Sequence, residues 1–388
     1  MQQGVEVIPV WNKSNREHNM IGSEPSQTRR AAQTSIEAGK WTHPYFLDAD
    51  HIGLETVDQF IEPCDFFTID VAEKIGVPAN PDFVNEFTNR HPELLADIPL
   101  GSHGLSLRTN REQIDNVAKK YLAAVSEAGK IYRYIEERKG AGQFIPEVSM
   151  DETDSPQKPI ELLIILAAIA DEQIPIQTIA PKFTGRFDKG VDFRGDVEAF
   201  AREFSGDLAV VAHAIRNYDL PDNLKLSIHS GSDKFSLYVH IHNAIQSVGA
   251  GLHLKTAGTT WLEEVAGLAR AGGSGLNIAK EIYVQAYGQM EELCKPYATV
   301  IDIHREQLPL PAVVNGWTSQ QYVGALHHDE NCQLYNPNLR QLLHVSFKIA
   351  AKMGNRFLDA VKSNEEIIAR GVNANMFERH IRPIFVSR

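Results

Sequence analysis

DFFTIDV, residues 65–71, is a short run of mostly apolar, β-forming side chains, and it is one of eight such runs along the chain. Most of the runs are nearly continuous apolar stretches rather than strict alternations, which is typical of strands buried on both faces of a parallel sheet. The other seven runs are VEVIPVW (5–11), PYFLDAD (44–50), QFIPEVSM (143–150), PIQTIAPKF (175–183), LKLSIHS (224–230), GLHLKT (251–256) and ATVIDIH (298–304).

Segments in which apolar residues recur at helical spacing fill several of the gaps between these runs. They cover residues 111–138, 260–271, 276–293 and 335–353, and the continuous apolar run over 160–170 is interpreted as a buried helix. Strand–helix units in series predict an α/β fold of the (β/α)8 TIM barrel type. The competing arrangement is a doubly wound open sheet, but no glycine-rich dinucleotide-binding turn follows the first run.

The spacing of the units also predicts how the chain is organised. We expect a single barrel domain over residues 1–388, because no Pro-, Gly- or Ser-rich linker divides the chain. A stretch rich in Pro, Asn and His, at about residues 76–110, predicts a loop insertion after strand 3 that would suit a lid or a dimer contact. The region from about 318 to 388 is expected to form a C-terminal helical extension.

The composition limits the classes of partner. The chain has 388 residues, with 50 acidic against 38 basic side chains and a formal net charge of -12. Such a charge repels phosphate backbones and argues against nucleic acid, although a small anionic substrate can still bind in a local basic pocket. The three cysteines are isolated, the N-terminal residues lack a signal-peptide pattern, and the longest apolar run is too short to cross a bilayer. We therefore expect a cytoplasmic protein that has no membrane partner and can form a homo-oligomer.

Three histidines lie at the ends of predicted strands, where the chemistry of such barrels is found. His51 follows PYFLDAD, His229 lies in LKLSIHS and His253 lies in GLHLKT. A lone strand histidine is more often a hydrogen-bonded core residue, and an acidic strand end can be a capped turn. Three histidines at three strand ends predict instead the ligands of a divalent metal cation, because imidazole and carboxylate together suit Zn, Mn, Ni or Co. Secondary candidates further along the chain are His304, His327, His328 and His344.

Acidic residues accompany the histidines at two of these strand ends. Glu147 and Asp151 are separated by an even number of positions, so both would lie on the same side if the strand continued. Carboxylates near a metal are natural general acids and bases. Capping of the helix that follows explains the acids near Pro156 but not Glu147. The predicted catalytic residues are Asp50, Glu147, Asp151 and Glu152.

Cationic and small polar side chains follow strands five to seven. Lys182 comes directly after strand five, where it could bind a carboxylate, polarise a carbonyl, form a Schiff base or remain exposed. Lys234 lies in the turn after strand six. Lys255 lies two positions after His253, on the same side of strand seven. The predicted substrate-binding residues are Lys182, Arg186, Asp233, Lys234, Lys255 and Thr259.

Long motifs over nearly the whole chain resemble the tagaturonate epimerase family. They are FLDADHI (46–52), EVSMDETDSP (147–156), KFTGRFDKGVDFRGD (182–196), LKLSIHSGSDKFSLY (224–238), GLHLKTAGTTWLEE (251–264) and YNPNLRQLLHVSFKIAAKMG (335–354). The resemblance implies an epimerase that interconverts D-tagaturonate and D-fructuronate in hexuronate breakdown with the help of a divalent metal. Related members act on the neutral ketoses fructose and tagatose. Segments such as residues 53–70 diverge from the family pattern, so both a sugar acid and a neutral ketose are candidate substrates.

The reaction implied by this resemblance inverts C4, which lies β to the ketone and whose C–H bond is not acidic. Simple proton removal and return is therefore excluded. Because the chain has no GxGxxG motif for a nicotinamide, we favour retro-aldol cleavage and re-addition, with the metal as a Lewis acid and cationic side chains around the uronate. The alternatives are a metal-dependent aldolase or other ketose isomerase on the same barrel, and a non-catalytic sugar-acid binding protein.

Overall fold

The computed structural model describes residues 5–100, 105–256 and 258–386. The chain divides into two compact units. Unit 1 comprises Met1–Thr184, Glu198–His229 and Asn243–His253, and unit 2 comprises Gly185–Val197, Ser230–His242 and Leu254–Arg388. The single-domain organisation expected from the sequence stays a prediction.

A seven-stranded sheet forms the centre of the described fold, in the order β1-β2-β3-β6-β7-β8-β9. The five neighbouring pairs from β1 to β8 are parallel, with Thr68 opposite Glu147 and Glu147 opposite Thr178. The sheet strands are β1 (Val10–Ser14), β2 (Phe46–Ile52), β3 (Phe66–Asp70), β6 (Ile145–Ser149), β7 (Thr178–Ala180), β8 (Lys225–Ile228) and β9 (Leu252–Leu254). The result is a mixed α/β, barrel-like fold, which confirms the predicted fold class at this level.

Seven of the eight predicted strands are present, but the prediction of a strand over residues 298–304 is wrong. Side chains of a neighbouring helix take up the backbone groups of this segment. Asp302 N donates to Gln341 Oε1 at 2.9 Å, and His304 N donates to Asn338 Oδ1 at 2.7 Å. Gln341 Nε2 also donates to the Asp302 carbonyl at 3.0 Å, so the segment is satisfied without a strand partner.

The two faces of the central strands differ in chemistry. Side chains alternate between the faces of a strand, so residues two apart lie on the same side. One face carries buried apolar side chains, namely Leu47, Ala49, Phe67, Ile69, Val148, Ile179 and Leu226. The other carries buried polar ones, namely Asp48, Thr68, Glu147, Ser149, Thr178 and Ser227. We call this second set the polar layer, and it leads to the strand ends that the sequence singled out.

Helices follow the strands along the chain. They are α1 (Asn15–Ile21), α2 (Pro25–Ala38), α3 (Asp58–Ile61), α4 (Pro81–Arg90), α5 (Arg111–Lys139), α6 (Pro159–Asp171), α7 (Val197–Asn217), α8 (Phe235–Val248), α9 (Thr259–Ala271), α10 (Gly273–Gly288), α11 (Met290–Cys294), α12 (Pro311–Asn315), α13 (Ser319–Leu326), α14 (Pro337–His344), α15 (Phe347–Met353), α16 (Asn355–Ser363), α17 (Glu365–Asn373) and α18 (Arg382–Phe385). Single 3-10 turns lie at Ala72–Lys74, Pro92–Leu95, Lys295–Tyr297 and Arg305–Gln307, and Ala374–Ile381 is a π-helical segment. Within the described part of the chain, every helix is too short or too polar to span a lipid bilayer.

The predicted insertion is present between β3 and α5. It contains α4 and a short antiparallel hairpin of β4 (Ile98–Leu100) and β5 (Leu105–Leu107), whose connecting residues 101–104 lie outside the described part of the chain. The long helix α5 begins with a capping box, in which Asn110 accepts a hydrogen bond from Gln113 N. The apolar run at 160–170 forms the buried helix α6, as predicted.

The C-terminal region is helical, as predicted, but the expected single helix over 335–353 is interrupted. The described chain forms α14 and α15 there, with Val345 and Ser346 between them. Asn336 caps α14 by accepting a hydrogen bond from Leu339 N, and Pro337 occupies the first turn, where its missing N–H costs nothing.

Candidate metal centre

Three side chains from distant parts of unit 1 meet at the carboxyl ends of β2, β6 and β8. They are His51, Asp151 and His229, and one ligand atom from each lies within 4.8 Å of the others. His229 Nδ1 is 3.1 Å from Asp151 Oδ1, and His51 Nε2 is 3.6 Å from the same oxygen. Among the described residues, this is the one group of three or more such side chains with metal-binding spacing.

The backbone of β2 aims His51 at this group. The pairing of β2 with β3 shifts register between Ala49 and Ile52, and His51 has a positive φ of 53°. Non-glycine residues are uncommon in this left-handed region, and those that occupy it cluster at active sites and ligand-binding sites. The bulge therefore takes His51 out of the ordinary alternation of the strand.

The second nitrogen of each histidine is held by a carboxylate. Asp50 Oδ1 lies 3.0 Å from His51 Nδ1, and Glu147 Oε1 lies 2.8 Å from His229 Nε2. Metal-binding histidines almost always carry such a partner on the ring nitrogen that does not bind the metal. The two nitrogens left, His51 Nε2 and His229 Nδ1, face the same oxygen of Asp151. The residues present therefore fit a divalent cation, which would satisfy both imidazoles and the carboxylate.

The electrostatics of the group also favour a positive charge. Burial disfavours a charged His51, but Asp50 and Asp151 outweigh it and hold the pKa of the imidazole well above its usual value. Burial likewise opposes ionisation of Asp151, yet the neighbouring imidazoles of His229 and His51 keep its pKa well below the usual range. Asp151 is thus an ionised carboxylate between two imidazoles, which is a donor set suited to zinc and similar ions.

The polar layer lies directly beneath this group. Glu147 accepts hydrogen bonds from Thr178 Oγ1 at 2.6 Å and Thr68 Oγ1 at 3.1 Å, besides the one from His229. His253 Nδ1 lies 2.9 Å from Glu147 Oε2 and 3.1 Å from Ser227 Oγ. The structure therefore places His253 beside Glu147 and outside the group of three, so its predicted role as a metal ligand stays a prediction.

Of the four predicted catalytic carboxylates, Asp151 lies in the group of three, Glu147 lies beneath it and Asp50 lies beside His51. Glu152 is exposed. The sequence reasoning missed Asp70, the last residue of β3, whose pKa is raised by burial against the opposing effect of His51. The signal that could have identified Asp70 is its position as a polar residue at the end of a strand.

The predicted cation Lys182 belongs to unit 1 and contacts the loop that follows β6. Its ammonium donates to the Thr153 carbonyl, and its backbone N donates to Gln157 Oε1 at 2.5 Å. Gln157 in turn donates to the Met150 carbonyl at 3.2 Å. Lys182 therefore stabilises residues 150–153, the loop segment that contains Asp151.

The other five predicted substrate-binding residues belong to unit 2. Two of them, the anion Asp233 and the cation Lys234, are neighbours in sequence and both are buried. The Lys234 ammonium donates to the carbonyls of Asp188, Val191 and Ser232 at 2.8 to 2.9 Å, which uses all three of its protons. Burial lowers the pKa of Lys234 to about 8. Asp233 Oδ2 accepts from Arg340 Nη2 at 3.0 Å, a partner that the sequence reasoning missed because it lies in the distant helix α14.

The remaining three occupy different environments within unit 2. The half-exposed Arg186 pairs with Asp188 at 3.1 Å. Lys255 is buried, and its carbonyl accepts from Gly231 N at 3.0 Å. The Thr259 hydroxyl is buried and has no hydrogen-bond partner within the described part of the chain. The substrate-binding roles of all these side chains stay predictions.

A parallel α/β sheet with imidazole and carboxylate groups at its carboxyl edge defines an α/β protein with a candidate metal centre. Comparisons with known proteins narrow this class. A profile of the tagaturonate epimerase family matches residues 1–383. The chain belongs to the tagaturonate epimerase family, whose members are isomerases.

Individual relatives agree with this assignment. The tagaturonate/fructuronate epimerase of Thermotoga maritima is 27% identical over 391 residues, covering 97% of this chain and 75% of the relative. The native crystal structure of the fructuronate-tagaturonate epimerase from Cohnella laeviribosi is 22% identical, with a TM-score of 0.79 over 98% of this chain and 76% of that one. A structure of that enzyme with two glycerols is 22% identical, with a TM-score of 0.82 over 99% and 77%. The structural likeness supports the fold.

Proposed function

We propose that this protein is a metal-dependent hexuronate epimerase that inverts C4 of a keto-hexuronate, converting D-tagaturonate to D-fructuronate. Family membership supports the epimerase reaction and the sugar-acid substrate. The observation that carries the metal dependence is the group of His51, Asp151 and His229, in which both imidazoles are backed by carboxylates and face one shared oxygen. The same centre would serve the related ketoses, tagatose and fructose.

The proposed chemistry is retro-aldol cleavage followed by re-addition. A base removes the proton from the C4 hydroxyl, the C3–C4 bond breaks, and its electron pair moves toward the C2 carbonyl as an enediolate. The aldehyde then rotates, C3 attacks its other face, and an acid returns a proton to the C4 oxygen. A divalent cation (Zn, Mn, Ni or Co), when bound, would act as the Lewis acid that stabilises negative charge on the substrate oxygens.

The side chains around the centre suggest how the protons would move. Asp151 is assigned to the metal group and Glu147 is enclosed in the polar layer, which leaves Asp50 and Glu152 as the proposed acid/base pair. Glu152 is exposed, so a substrate hydroxyl could reach it, and Asp50 adjoins His51. A group acting in this way typically contributes about 10²- to 10⁴-fold in rate. Lys182 is the proposed partner of the uronate carboxylate.

Three expectations stay predictions, namely closure of the seven-stranded sheet of the described residues into a (β/α)8 barrel, a cytoplasmic location and assembly into a homo-oligomer.

The function is tested with chelator-stripped protein. D-Tagaturonate and D-fructose are supplied separately, Mn, Zn, Ni or Co is added back, and products are followed by chromatography. We expect metal-restored formation of the C4 epimer. Release of smaller fragments would indicate an aldolase, and binding of the sugar acid without turnover under any metal would indicate a binding protein; either outcome would contradict the proposal.

A further inference from the structure

Glu147 is a fully buried carboxylate whose oxygens are both occupied by hydrogen-bond donors. Its exposed fraction is 0%. Oε1 accepts from His229 Nε2 at 2.8 Å and Thr68 Oγ1 at 3.1 Å. Oε2 accepts from Thr178 Oγ1 at 2.6 Å and His253 Nδ1 at 2.9 Å. A carboxylate enclosed in this way has no surface to offer a substrate hydroxyl.

The bond to His229 determines which ring nitrogen is available. When Glu147 Oε1 accepts this hydrogen bond, the proton of the His229 ring lies on Nε2. The lone pair is then on Nδ1, the atom that lies 3.1 Å from Asp151 Oδ1 in the metal group. The same hydrogen bond to Glu147 restricts rotation of the His229 ring.

The surrounding layer keeps Glu147 itself in place. The Thr68 hydroxyl lies 3.0 Å from both oxygens of the buried Asp48 and 3.1 Å from Glu147, so its one proton is shared between the two acidic side chains. Thr68 and Thr178 are also the register neighbours of Glu147 on β3 and β7. The position of Glu147 is therefore set by regular strand pairing rather than by a loop.

We infer that Glu147 is a positioning residue, which acts through His229 by presenting its Nδ1 atom to the metal, and is not an acid or base of the reaction. This inference rests on the proposed metal-dependent function. It also assigns His253 the role of a further hydrogen-bond donor to Glu147. Partners of this kind typically contribute about 10- to 100-fold to metal affinity or activity.

The first test is the tautomer of His229 in the zinc-loaded protein. The protein is labelled with ¹⁵N-histidine, and the His229 signals are identified by their loss in His229→Gln. We expect a protonated Nε2 and a metal-shifted Nδ1. The opposite assignment would overturn the inference, whereas failure of the wild-type protein to bind zinc would instead overturn the proposed function.

The second test compares metal affinity with turnover in Glu147→Gln. The amide keeps the shape of the side chain but cannot accept all four hydrogen bonds. We expect the Kd for zinc to rise about 10- to 100-fold, and kcat at saturating metal to change much less. An unchanged Kd with kcat lowered about 10²- to 10⁴-fold would show an acid/base role and contradict the inference.

Two further variants keep the comparison decisive. Ser227→Ala removes a hydroxyl that lies 3.1 Å from His253 Nδ1 in the same layer, and its zinc affinity should match that of the wild type. Thr178→Val removes the 2.6 Å donor to Glu147 and should weaken zinc binding in the same direction as Glu147→Gln. If Glu147→Gln fails to fold, Thr178→Val provides the readout, and unchanged zinc affinity in that variant would overturn the inference.

Discussion

Asp207 is a buried carboxyl in α7 for which the described residues offer no hydrogen-bond partner. Both of its oxygens are enclosed, and burial together with the nearby Glu203 raises its pKa well above 3.8. A neutral acid is therefore favoured in the folded state, while the unfolded chain ionises normally. This residue contributes stability at low pH that is lost as the pH rises from about 3.8 through its folded pKa.

We predict that Asp207→Asn stabilises the protein at neutral pH relative to the wild type. The variant has no carboxyl group that must take up a proton on folding, so its advantage in free energy of unfolding should grow between pH 4 and pH 8. Urea denaturation at both pH values measures the difference. An advantage that does not change with pH would mean that Asp207 does not titrate between these limits.

Metal stoichiometry separates the ligands from their neighbours. Loss of a residue that only hydrogen-bonds a metal ligand typically lowers metal affinity roughly 10- to 100-fold. We predict a larger loss of metal affinity, with a matching loss of epimerase activity, in each of the variants His51→Gln, Asp151→Asn and His229→Gln. His253→Gln should still bind one metal per chain, because this residue contacts Glu147 rather than the group of three. Metal analysis after dialysis decides this, with His304→Gln as an exposed control. Loss of the metal in His253→Gln alone would contradict the assignment.

At the scale of elements, His91 joins the insertion to α6. Its Nδ1 lies 2.8 Å from Glu93 and its Nε2 lies 3.1 Å from Asp171, the last residue of α6. Burial lowers the pKa of His91, but the two carboxylates outweigh it, and the net pKa is raised. The stability from this contact is therefore complete below about pH 6.5 and is lost as the pH rises through the folded pKa.

We predict that His91→Gln destabilises the protein more at pH 6 than at pH 9, since glutamine cannot carry the charge that the two acids attract. Chemical denaturation at the two pH values measures this difference in free energy of unfolding. Tyr134→Phe, which removes a hydrogen bond to Asp58 on the surface, serves as a control. Equal destabilisation of His91→Gln at both values would show that His91 is neutral in the folded protein.

The elements that the sequence predicted well are those whose signal is local. The central strands and helices such as α5 and α6 follow from their own apolar patterns. Residues 298–304 have the same apolar pattern, but side chains of Asn338 and Gln341 bind their backbone instead, and such a partner cannot be read from the segment itself. The interruption between α14 and α15 was missed for a similar reason, since no proline or glycine marks Val345 and Ser346.

At the scale of the molecule, the sequence predicted that the chemistry lies at the strand ends, and the candidate metal group of His51, Asp151 and His229 lies there. It could not determine which strand-end side chains meet. That depends on the bulge that turns His51, and on strand pairing that puts Glu147 between His229 and His253. Asp151 was expected to be an acid or base, and only its distances to His51 and His229 suggest a ligand.

We propose that His51, Asp151 and His229 hold the metal of this epimerase. Anomalous diffraction at the zinc edge, from crystals of the zinc-loaded protein, tests this assignment. We predict one strong peak about 2.0 to 2.2 Å from His51 Nε2, His229 Nδ1 and an oxygen of Asp151. A peak bound by His253 in place of one of these residues, or no peak among the three, would contradict the account.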